Sequence, residues 1–236
     1  MAGSGRSLRR RFAAEVCLKP VRALLAACLF FAAHSTLAAG VGVRAGTTGV
    51  GGDVAFEVLP TLSARVGYSW LSFNTSIDSD DVEYDATPRL SNGNLFLDWS
   101  PLGPFRITGG VIFNANKIDV TAVPTGGSYT INGVVYPASS IGRMAGTVES
   151  GQAAAPYLGI GYGNVSGAGV NFYFDLGVMF QGSPKASLTA TCGASLTPAQ
   201  CAQLQSNVAV EAVDLQNSIN NFKYFPVINI GVTIGF

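Results

Sequence analysis

The chain contains few charged residues, and past residue 40 it has no long hydrophobic run. Only 12% of its 236 residues are charged, whereas 48% are hydrophobic, which is an unusual balance for a soluble domain. A membrane-spanning helix needs about 18 uninterrupted apolar residues, and no window beyond residue 40 approaches that length. The hydrophobic residues instead alternate with small or polar ones. Because a closed β-barrel is the other structure that satisfies every backbone polar group in lipid, the composition favours a barrel.

The N-terminal segment has the pattern of an export signal. An apolar core spans residues 23–33, and a small-residue exit spans residues 34–39. The basic region before and around it consists of Arg6, Arg9, Arg10, Arg11, Lys19 and Arg22. We therefore expect a signal peptide over residues 1–38, cleaved after Ala38 or Ala39, and one barrel domain over residues 39–236.

Two other export signals have partial matches in this segment. Residues 25–28 resemble a lipoprotein box, but the apolar run continues through residues 29–31 after the cysteine. Residues 9–12 resemble a twin-arginine signal, which exports folded proteins, whereas a barrel must reach its assembly machinery unfolded. The ordinary cleaved signal is the interpretation that we favour.

Cleavage would leave a chain without histidine, since the one histidine is His34. Six of the 14 basic residues and one of the 14 acidic residues lie in the signal, so 8 basic and 13 acidic residues would remain. A net negative chain is a poor partner for nucleic acid. We predict no catalytic residues, no cofactor and no metal site.

The C-terminal stretch alternates strictly between large apolar and small polar residues. Residues Ile228, Ile230, Val232, Ile234 and Phe236 fall on one face of a strand, and residues 229, 231, 233 and 235 fall on the other. This is typical of a transmembrane barrel strand. The segment also resembles the C-terminal signal of bacterial outer-membrane barrels, carried here by Asn229, Gly231, Ile234 and Phe236.

Eight alternating segments can be counted along the chain. They cover residues 41–47, 50–58, 62–73, 90–99, 105–117, 157–164, 170–181 and 225–236. Residues 41–58 read as a hairpin, although one long bent strand is the alternative; an even strand number favours the hairpin. Short turns alternate with long polar loops at residues 75–89 and 118–153 and a final loop of about 40 residues. The Asn132-Gly133 pair predicts a small hairpin in the second loop.

Seven charged residues lie within the predicted strands, mostly on the face opposite the large apolar side chains. A basic residue facing lipid at mid-membrane costs about 2 to 4 kcal/mol, so we expect all seven to point into the lumen and to pair there. This predicted lumen network consists of Arg44, Asp53, Glu57, Arg65, Asp98, Arg106 and Asp175. The outward aromatic residues near strand ends predict interfacial girdles: Tyr68, Trp70, Trp99, Phe105 and Phe180.

The last long loop predicts a disulfide and a helix. Cys192 and Cys201 are the two cysteines left after cleavage of an exported chain, so a disulfide is expected. Residues 197–200 have the form of a capping box with proline at the first helical position. An apolar stripe then predicts an amphipathic helix over residues 198–221. Three placements stay open: the barrel rim, a lid over the lumen, or a docking surface.

These features together resemble the small eight-stranded outer-membrane barrels of Gram-negative bacteria, the OmpA, OmpX and OmpW group. We therefore predict an all-β fold: an eight-stranded antiparallel transmembrane barrel with one amphipathic helix in the last long loop. The resemblance implies insertion by the barrel assembly machinery into outer-membrane lipid and lipopolysaccharide. It also implies a structural or surface-interaction role, with an extracellular ligand or host surface as a possible partner.

Two other functions remain as alternatives. A narrow channel for small or hydrophobic solutes would require a gap lined by Asn114, Asn116, Gly159 and Gly161, whereas a fully paired charge network would favour the structural role. Some barrels of this size modify lipids through histidine chemistry, which a chain without histidine cannot perform.

Overall fold

The computed structural model describes residues 38–79, 82–124 and 126–236. The predicted signal peptide, residues 1–38, lies outside the described residues apart from Ala38. The fourteen strands in this part of the chain are β1 Ala39–Gly46, β2 Gly49–Leu59, β3 Leu62–Ser72, β4 Thr75–Ser79, β5 Val82–Leu102, β6 Phe105–Asn114, β7 Lys117–Pro124, β8 Ser128–Ile131, β9 Val134–Pro137, β10 Ile141–Glu149, β11 Ala154–Tyr162, β12 Gly169–Phe180, β13 Lys185–Cys192 and β14 Tyr224–Gly235. One α-helix, α1, spans Pro198–Ile219, and one 3-10 turn spans Ala138–Ser140. No helix within these described ranges is long and apolar enough to cross a membrane.

Eight strands form a ring of antiparallel ladders. β1 pairs with β2 and with β14, β3 pairs with β2 and with β5, and β6 pairs with β5 and with β11. β12 pairs with β11 and with β14. Following these pairings from strand to strand therefore leads from β1 back to β1 through eight strands. We call this set of strands, with β5 from residue 90 onward, the ring.

The two ends of the ring differ in their connections. At one end the start of β1 and the end of β14 are joined by hydrogen bonds between the main chains of Ala39 and Phe236. The turns at that end are short and join β2 to β3, β5 to β6 and β11 to β12. At the other end a tight hairpin through Thr47 and Thr48 joins β1 to β2, so the hairpin interpretation of residues 41–58 is confirmed. The three long connections also leave from this second end.

Side chains alternate between the two faces of the ring wall. Along β11, residues 154–162 alternate strictly between exposed and buried positions. The residues exposed on the outer face are large and apolar, among them Val43, Leu97, Leu158, Phe172 and Ile230. The five aromatic residues predicted for the girdles are all exposed on this face. The polar residues of the strands fill the interior instead.

Beyond the second end, the long connections continue the sheet of the ring. β5 continues out of the ring, so that its residues 82–89 pair with both β4 and β7. β10 pairs with β7 and β13, which completes a five-stranded sheet in the order β4-β5-β7-β10-β13. We call this sheet, together with α1 and the β8–β9 hairpin, the extension. Residues 75–79 and 82–89 are therefore strands and not the loop that the polar sequence predicts for residues 75–89, because neighbouring strands supply the partners that their backbone needs.

Within the extension, the helix α1 packs on the sheet and on the β8–β9 hairpin. It begins with the predicted capping box, in which Thr197 and Gln200 bond to each other's main-chain N–H groups. Leu204 and Val208 are buried against Ile131, Tyr136 and Ile141. The Cys192–Cys201 disulfide ties the end of β13 to the first turn of the helix. The helix thus lies on the sheet formed by the long connections, and its use as a docking surface stays a prediction.

Candidate functional site

The interior of the ring contains three arginines and three aspartates in direct contact. Arg65, on β3, is fully buried and faces two carboxylates. Its Nε and Nη2 atoms donate to Asp98 at 3.0 and 3.1 Å, a bidentate arrangement. Its Nη1 atom donates to Asp175 on β12 at 2.7 Å. One guanidinium therefore joins β3 to β5 and, across the interior, to β12.

Arg106, on β6, approaches the same two aspartates from the other side. Its Nη2 atom donates to Asp175 at 2.7 Å, and its Nη1 atom lies 3.3 Å from Asp98. Thr108 donates a further hydrogen bond to Asp98 at 2.6 Å. Two positive and two negative charges thus form one neutral cluster that links four strands. Since buried charges are tolerated only when paired and hydrogen-bonded, the four residues depend on one another.

A second ion pair lies beside this cluster. Arg44, on β1, donates to Asp53 on β2 at 3.0 Å and to Asn94 on β5 at 2.6 Å. Tyr173 donates its hydroxyl to the other oxygen of Asp53 at 2.8 Å. The Tyr173 ring also lies 5.3 Å from the guanidinium of Arg65, a cation–π distance. Tyr173 therefore connects the ion pair to the four-residue cluster.

Glycines in the ring wall make room for these groups. A methyl group at Gly161 would lie 2.7 Å from Arg106 Nη2 and 2.8 Å from Asp175 Oδ1. A methyl group at Gly159 would collide with the hydroxyl of Tyr157, and one at Gly231 would collide with the ring of Tyr173. The wall thus has glycine at the positions where long side chains from other residues cross the interior. The space beside Gly159 and Gly161 is occupied and is not a gap.

An apolar layer lies next to the charges. Phe96 stacks on Tyr157 with ring centroids 4.7 Å apart. The layer consists of the buried residues Phe96, Ile112, Ala155, Tyr157, Met179 and Val227. It lies between the charge cluster and the end of the ring from which the extension leaves. The interior is therefore filled by side chains at both levels.

Glu57 lies outside the charge cluster. The other six charged residues predicted for the lumen are at most 3% exposed, whereas Glu57 is half-buried. It forms no ion pair with any residue that the structure describes. Its position on β2 is next to the short turn at residues 60–61, where water reaches the end of the ring. The alternation of the strand is the same at both positions, so sequence parity could not separate Glu57 from Asp53.

Three polar residues of this site were missed by the sequence analysis: Asn94, Thr108 and Tyr173. Each shares the strand parity of a charged residue that was found, because Asn94 lies four residues before Asp98, Thr108 lies two after Arg106 and Tyr173 lies two before Asp175. Strand parity was therefore the signal that could have found them.

A cluster of asparagines lies at the second end of the ring. Asn92 donates to the main-chain oxygen of Thr48 at 3.0 Å and to Asn116 at 2.9 Å. Asn114 accepts from the main-chain N–H of Asn116 at 2.9 Å. One side-chain atom of each asparagine, namely Asn92 Oδ1, Asn114 Nδ2 and Asn116 Nδ2, has no hydrogen-bond partner among the described residues. These amides close the ring above the apolar layer.

The predicted assembly-signal residues lie on β14 or at its end. Asn229 is buried and accepts a hydrogen bond from Thr48 at 2.9 Å. Gly231 faces the interior and makes room for Tyr173. Ile234 and Phe236 are 60% and 77% exposed on the outer face. Asn229 and Gly231 thus make contacts inside the ring, whereas Ile234 and Phe236 are exposed on its outer face.

The extension carries its charges on an exposed face. Lys117 contacts Asp119 at 3.3 Å and Glu149 at 3.4 Å, and Arg89 contacts Asp119 at 3.3 Å. Hydrogen bonds to Asp119 and Glu149 raise the pKa of Lys117 above its usual value. Desolvation would raise the pKa of Asp119, but hydrogen bonds from Thr147 and Lys117 outweigh it and lower that pKa. Such exposed pairs contribute little to stability.

The cysteine, aspartate and glutamate side chains of residues 38–79, 82–124 and 126–236 form no cluster that could hold a metal ion. No group of three or more potential metal ligands is found there. The buried aspartates are each engaged by an arginine. What the site can do chemically is to join strands and to occupy the interior.

Comparison with known proteins identifies the fold but no family. No family model matches the chain, and neither does any curated protein sequence. The crystal structure of CarO from Acinetobacter baumannii is 22% identical, with a TM-score of 0.58, covering 84% of this chain and 97% of that one. The structure of CarO2 from the same organism is 22% identical, with a TM-score of 0.57, covering 86% and 100%. A major outer membrane protein from Thermus thermophilus is 16% identical, and the match covers 86% of this chain and 100% of that one. Its TM-score of 0.42 is too low to support a conclusion about the fold.

The similarity to the two Acinetobacter structures extends over nearly their whole length. At 22% identity it shows a shared fold and nothing about activity. The fold is all-β, with mostly antiparallel strands and one helix.

Proposed function

We propose that the chain is an eight-stranded transmembrane β-barrel of a bacterial outer membrane, with a structural or surface-interaction role and no catalysis. The observation that carries this proposal is the reversed distribution of side chains across the ring wall. Arginines and aspartates are buried and paired inside, while valine, leucine, isoleucine and phenylalanine are exposed outside. Water would penalise that outer surface, whereas lipid would stabilise it.

The direction of insertion follows from the connections. Outer-membrane barrels have short periplasmic turns and longer extracellular loops. We therefore assign the end with the three short turns to the periplasm and the extension to the outer side. A disulfide in the extension suits an oxidising compartment.

A filled interior supports the structural role over a channel. The gap that a channel would require, beside Gly159 and Gly161, is occupied by Tyr157 and by the Arg106–Asp175 pair. An eight-stranded barrel is only wide enough for its interior to be filled by side chains. The three buried arginines all have carboxylate partners. These contacts favour a closed lumen.

Insertion would proceed through the barrel assembly machinery. We assign the recognition signal to Asn229, Gly231, Ile234 and Phe236, of which the last two present apolar side chains on the outer face. The outer surface would contact membrane lipid and lipopolysaccharide. An extracellular ligand or host surface would bind the extension.

Solute flux through liposomes tests the closed lumen. The chain from Ala39 is refolded into liposomes loaded with a small neutral sugar. We expect the sugar to leak at the same rate as from loaded liposomes that contain no protein. The Tyr157→Ala variant is the matched opening control, because it empties the space beside Gly159 and Gly177. Both proteins must first show the gel shift on boiling that marks a folded barrel. Rapid flux through the unmodified barrel would establish the channel alternative instead.

A further inference from the structure

A row of basic residues crosses the base of the extension sheet. Arg89 on β5 pairs in register with Lys117 on β7. Lys117 pairs in turn with Glu149 on β10, and Glu149 pairs with Lys185 on β13. Because residues directly opposite each other in antiparallel strands share a face, these four side chains lie side by side on one face of the sheet. We call the three basic residues, Arg89, Lys117 and Lys185, the basic row.

The basic row lies on the outer face, immediately beyond the ring. Arg89 has the same strand parity as Leu95 and Leu97, which are exposed on the outer wall of the ring. The β3–β5 ladder has no register shift between Arg89 and Trp99, so Arg89 points to the same side as that apolar wall. The other strands of the row also start close to the ring, since β7 begins three residues after β6 ends and β13 begins five residues after β12 ends.

The length of β5 places Arg89 at the edge of the apolar band. Arg89 lies ten residues before Trp99, which is at the opposite end of the ring. At about 3.4 Å per residue and a tilt of about 40°, ten residues span about 26 Å along the membrane normal, and the apolar band of such barrels is about 25 Å tall. Trp70 pairs with Ser91, two residues after Arg89, and interfacial tryptophans lie at the level of the lipid headgroups. The Arg89 guanidinium therefore reaches the headgroup layer in the proposed membrane placement.

The carboxylates beside the basic row use few of its N–H donors. Arg89 Nη1 lies 3.3 Å from Asp119, and Lys117 Nζ lies 3.3 and 3.4 Å from Asp119 and Glu149. Lys185 forms no ion pair with any residue that the structure describes. A guanidinium has five N–H donors and an ammonium has three, and exposed pairs of this kind are weak. The row thus has one positive charge more than the two carboxylates neutralise, and it has donors to offer another anion.

We infer that the basic row binds the phosphate groups of an outer-leaflet lipid, whose acyl chains lie against the apolar wall beside the row. Lysine and arginine both bind phosphate, and arginine can do so through two N–H groups at once. Next to Arg89, the outer face of the ring presents Trp70, Tyr68 and Leu95, all of them exposed. A lipid contacts both surfaces at once, whereas a soluble anion contacts only the basic row. The inference rests on the proposed membrane placement of the ring.

Lipid retention by the refolded chain in detergent tests this inference. The probes are lipid A, which carries phosphate on its headgroup, and lipid A from which a phosphatase has removed the phosphate. Native mass spectrometry measures the fraction of the chain that retains one lipid molecule at each lipid concentration. We expect the phosphorylated lipid to bind at least about tenfold more tightly, since each basic residue near an anionic surface contributes about fivefold. Inorganic phosphate at the concentration that saturates lipid A should not displace it.

Three variants separate the basic row from charge in general. Lys117→Gln removes one cation and should weaken lipid A binding about fivefold. Glu149→Gln should strengthen that binding, because the carboxylate competes with phosphate for the donors of Lys117. The matched control is Arg143→Gln, since Arg143 is an exposed cation with the strand parity of Glu149, six residues away along β10 and so about 20 Å from the row. This control should bind lipid A as the unmodified chain does.

Each contrary result has a definite meaning. Equal retention of the two lipids, or unchanged binding by Lys117→Gln, would overturn the inference. Displacement by inorganic phosphate would identify a soluble anion as the ligand and would also overturn it. Every variant must show the gel shift on boiling, and the unmodified chain must insert into liposomes. Failure to insert would refute the proposed function, whereas insertion with equal retention of both lipids would refute this inference alone.

Discussion

The ring and the extension are built from similar alternating strands, yet the ring buries charged side chains beside its apolar layer, whereas the described part of the extension buries an apolar cluster. In the ring, Arg65 and Asp98 are fully buried while Ile230 is 62% exposed. In the extension, Leu204 and Val208 are both buried, and both belong to an apolar cluster that packs against the sheet. The alternation alone therefore does not determine which face is buried. In the proposed membrane placement the surrounding solvent does, since lipid would accept the apolar face of the ring and water would accept the polar face of the extension.

The comparison also separates two kinds of ion pair. The Arg65–Asp98 pair is completely enclosed, whereas the side chains of Lys117 and Glu149 in the extension are 37% and 53% exposed. Buried charges cannot exchange a lost partner for water, while exposed charges can. The same chemistry should thus be essential in one region and dispensable in the other.

The largest expected effect comes from removing a carboxylate inside the ring. Asp98→Asn leaves Arg65 and Arg106 sharing Asp175, with one uncompensated buried charge. We expect the free energy of unfolding to fall by about 3 to 5 kcal/mol, measured by urea titration of the refolded barrel in lipid. Asp119→Asn in the extension is the matched control and should have no detectable effect on ring unfolding. Equal effects of the two substitutions would refute the distinction.

The second prediction concerns the apolar cluster of the extension. Leu204→Ala removes a fully buried side chain between α1 and the hairpin, and it should destabilise the packing of the helix by about 2 to 5 kcal/mol. Hydrogen exchange should accelerate throughout α1 and stay unchanged in β11. Acceleration in β11 would show that the two regions unfold as one unit.

The third prediction compares two exposed apolar residues. Ile230 on β14 and Val213 on α1 are 62% and 58% exposed. Ile230→Arg should cost about 2 to 4 kcal/mol in a bilayer, because its side chain faces lipid near the middle of the ring. Val213→Arg should cost less than about 0.5 kcal/mol, because its side chain faces water. Equal tolerance in both places would mean that the ring wall does not contact lipid.

The smallest effect is expected from the disulfide. Replacing Cys192 and Cys201 together by serine opens the loop between two cysteines that are nine positions apart in sequence. Closing that loop is worth about 2.5 kcal/mol in the chain-entropy model. The loss should appear as faster proteolysis near residue 197 and leave the boiling shift of the ring unchanged. Loss of that shift would show that the ring depends on the extension.

Sequence patterning predicted most of the elements that form the ring. Strict alternation in residues 228–236 and the lack of long apolar runs indicated strands, and the Asn132-Gly133 pair indicated the small hairpin. The helix was predicted over residues 198–221 and is observed over Pro198–Ile219, because a capping box and proline mark its start. The disulfide was predicted from cysteine count and is present.

Contacts between distant segments could not be predicted in this way. The sequence predicts a polar loop over residues 75–89. Residues 82–89 form a strand because they pair with Lys117–Pro124, a segment distant in sequence, and their own residue pattern does not indicate that partner. For the same reason, the packing of α1 on β13 could not be predicted from the sequence. The carboxylate partners of Arg65 are 33 and 110 residues away in sequence. Strand parity therefore predicted that Arg65 faces the interior but could not identify its partners.

The two tryptophans provide the most direct test of the central claim that the ring wall contacts lipid. Trp70 and Trp99 are the only tryptophans in the chain, and both lie on the outer face, 59% and 49% exposed. The refolded chain is placed in liposomes made with brominated lipids, which quench tryptophan fluorescence on contact, and separately exposed to acrylamide in water. The account predicts strong quenching by the lipid and weak quenching by acrylamide. Weak quenching by the lipid with strong quenching by acrylamide would contradict it.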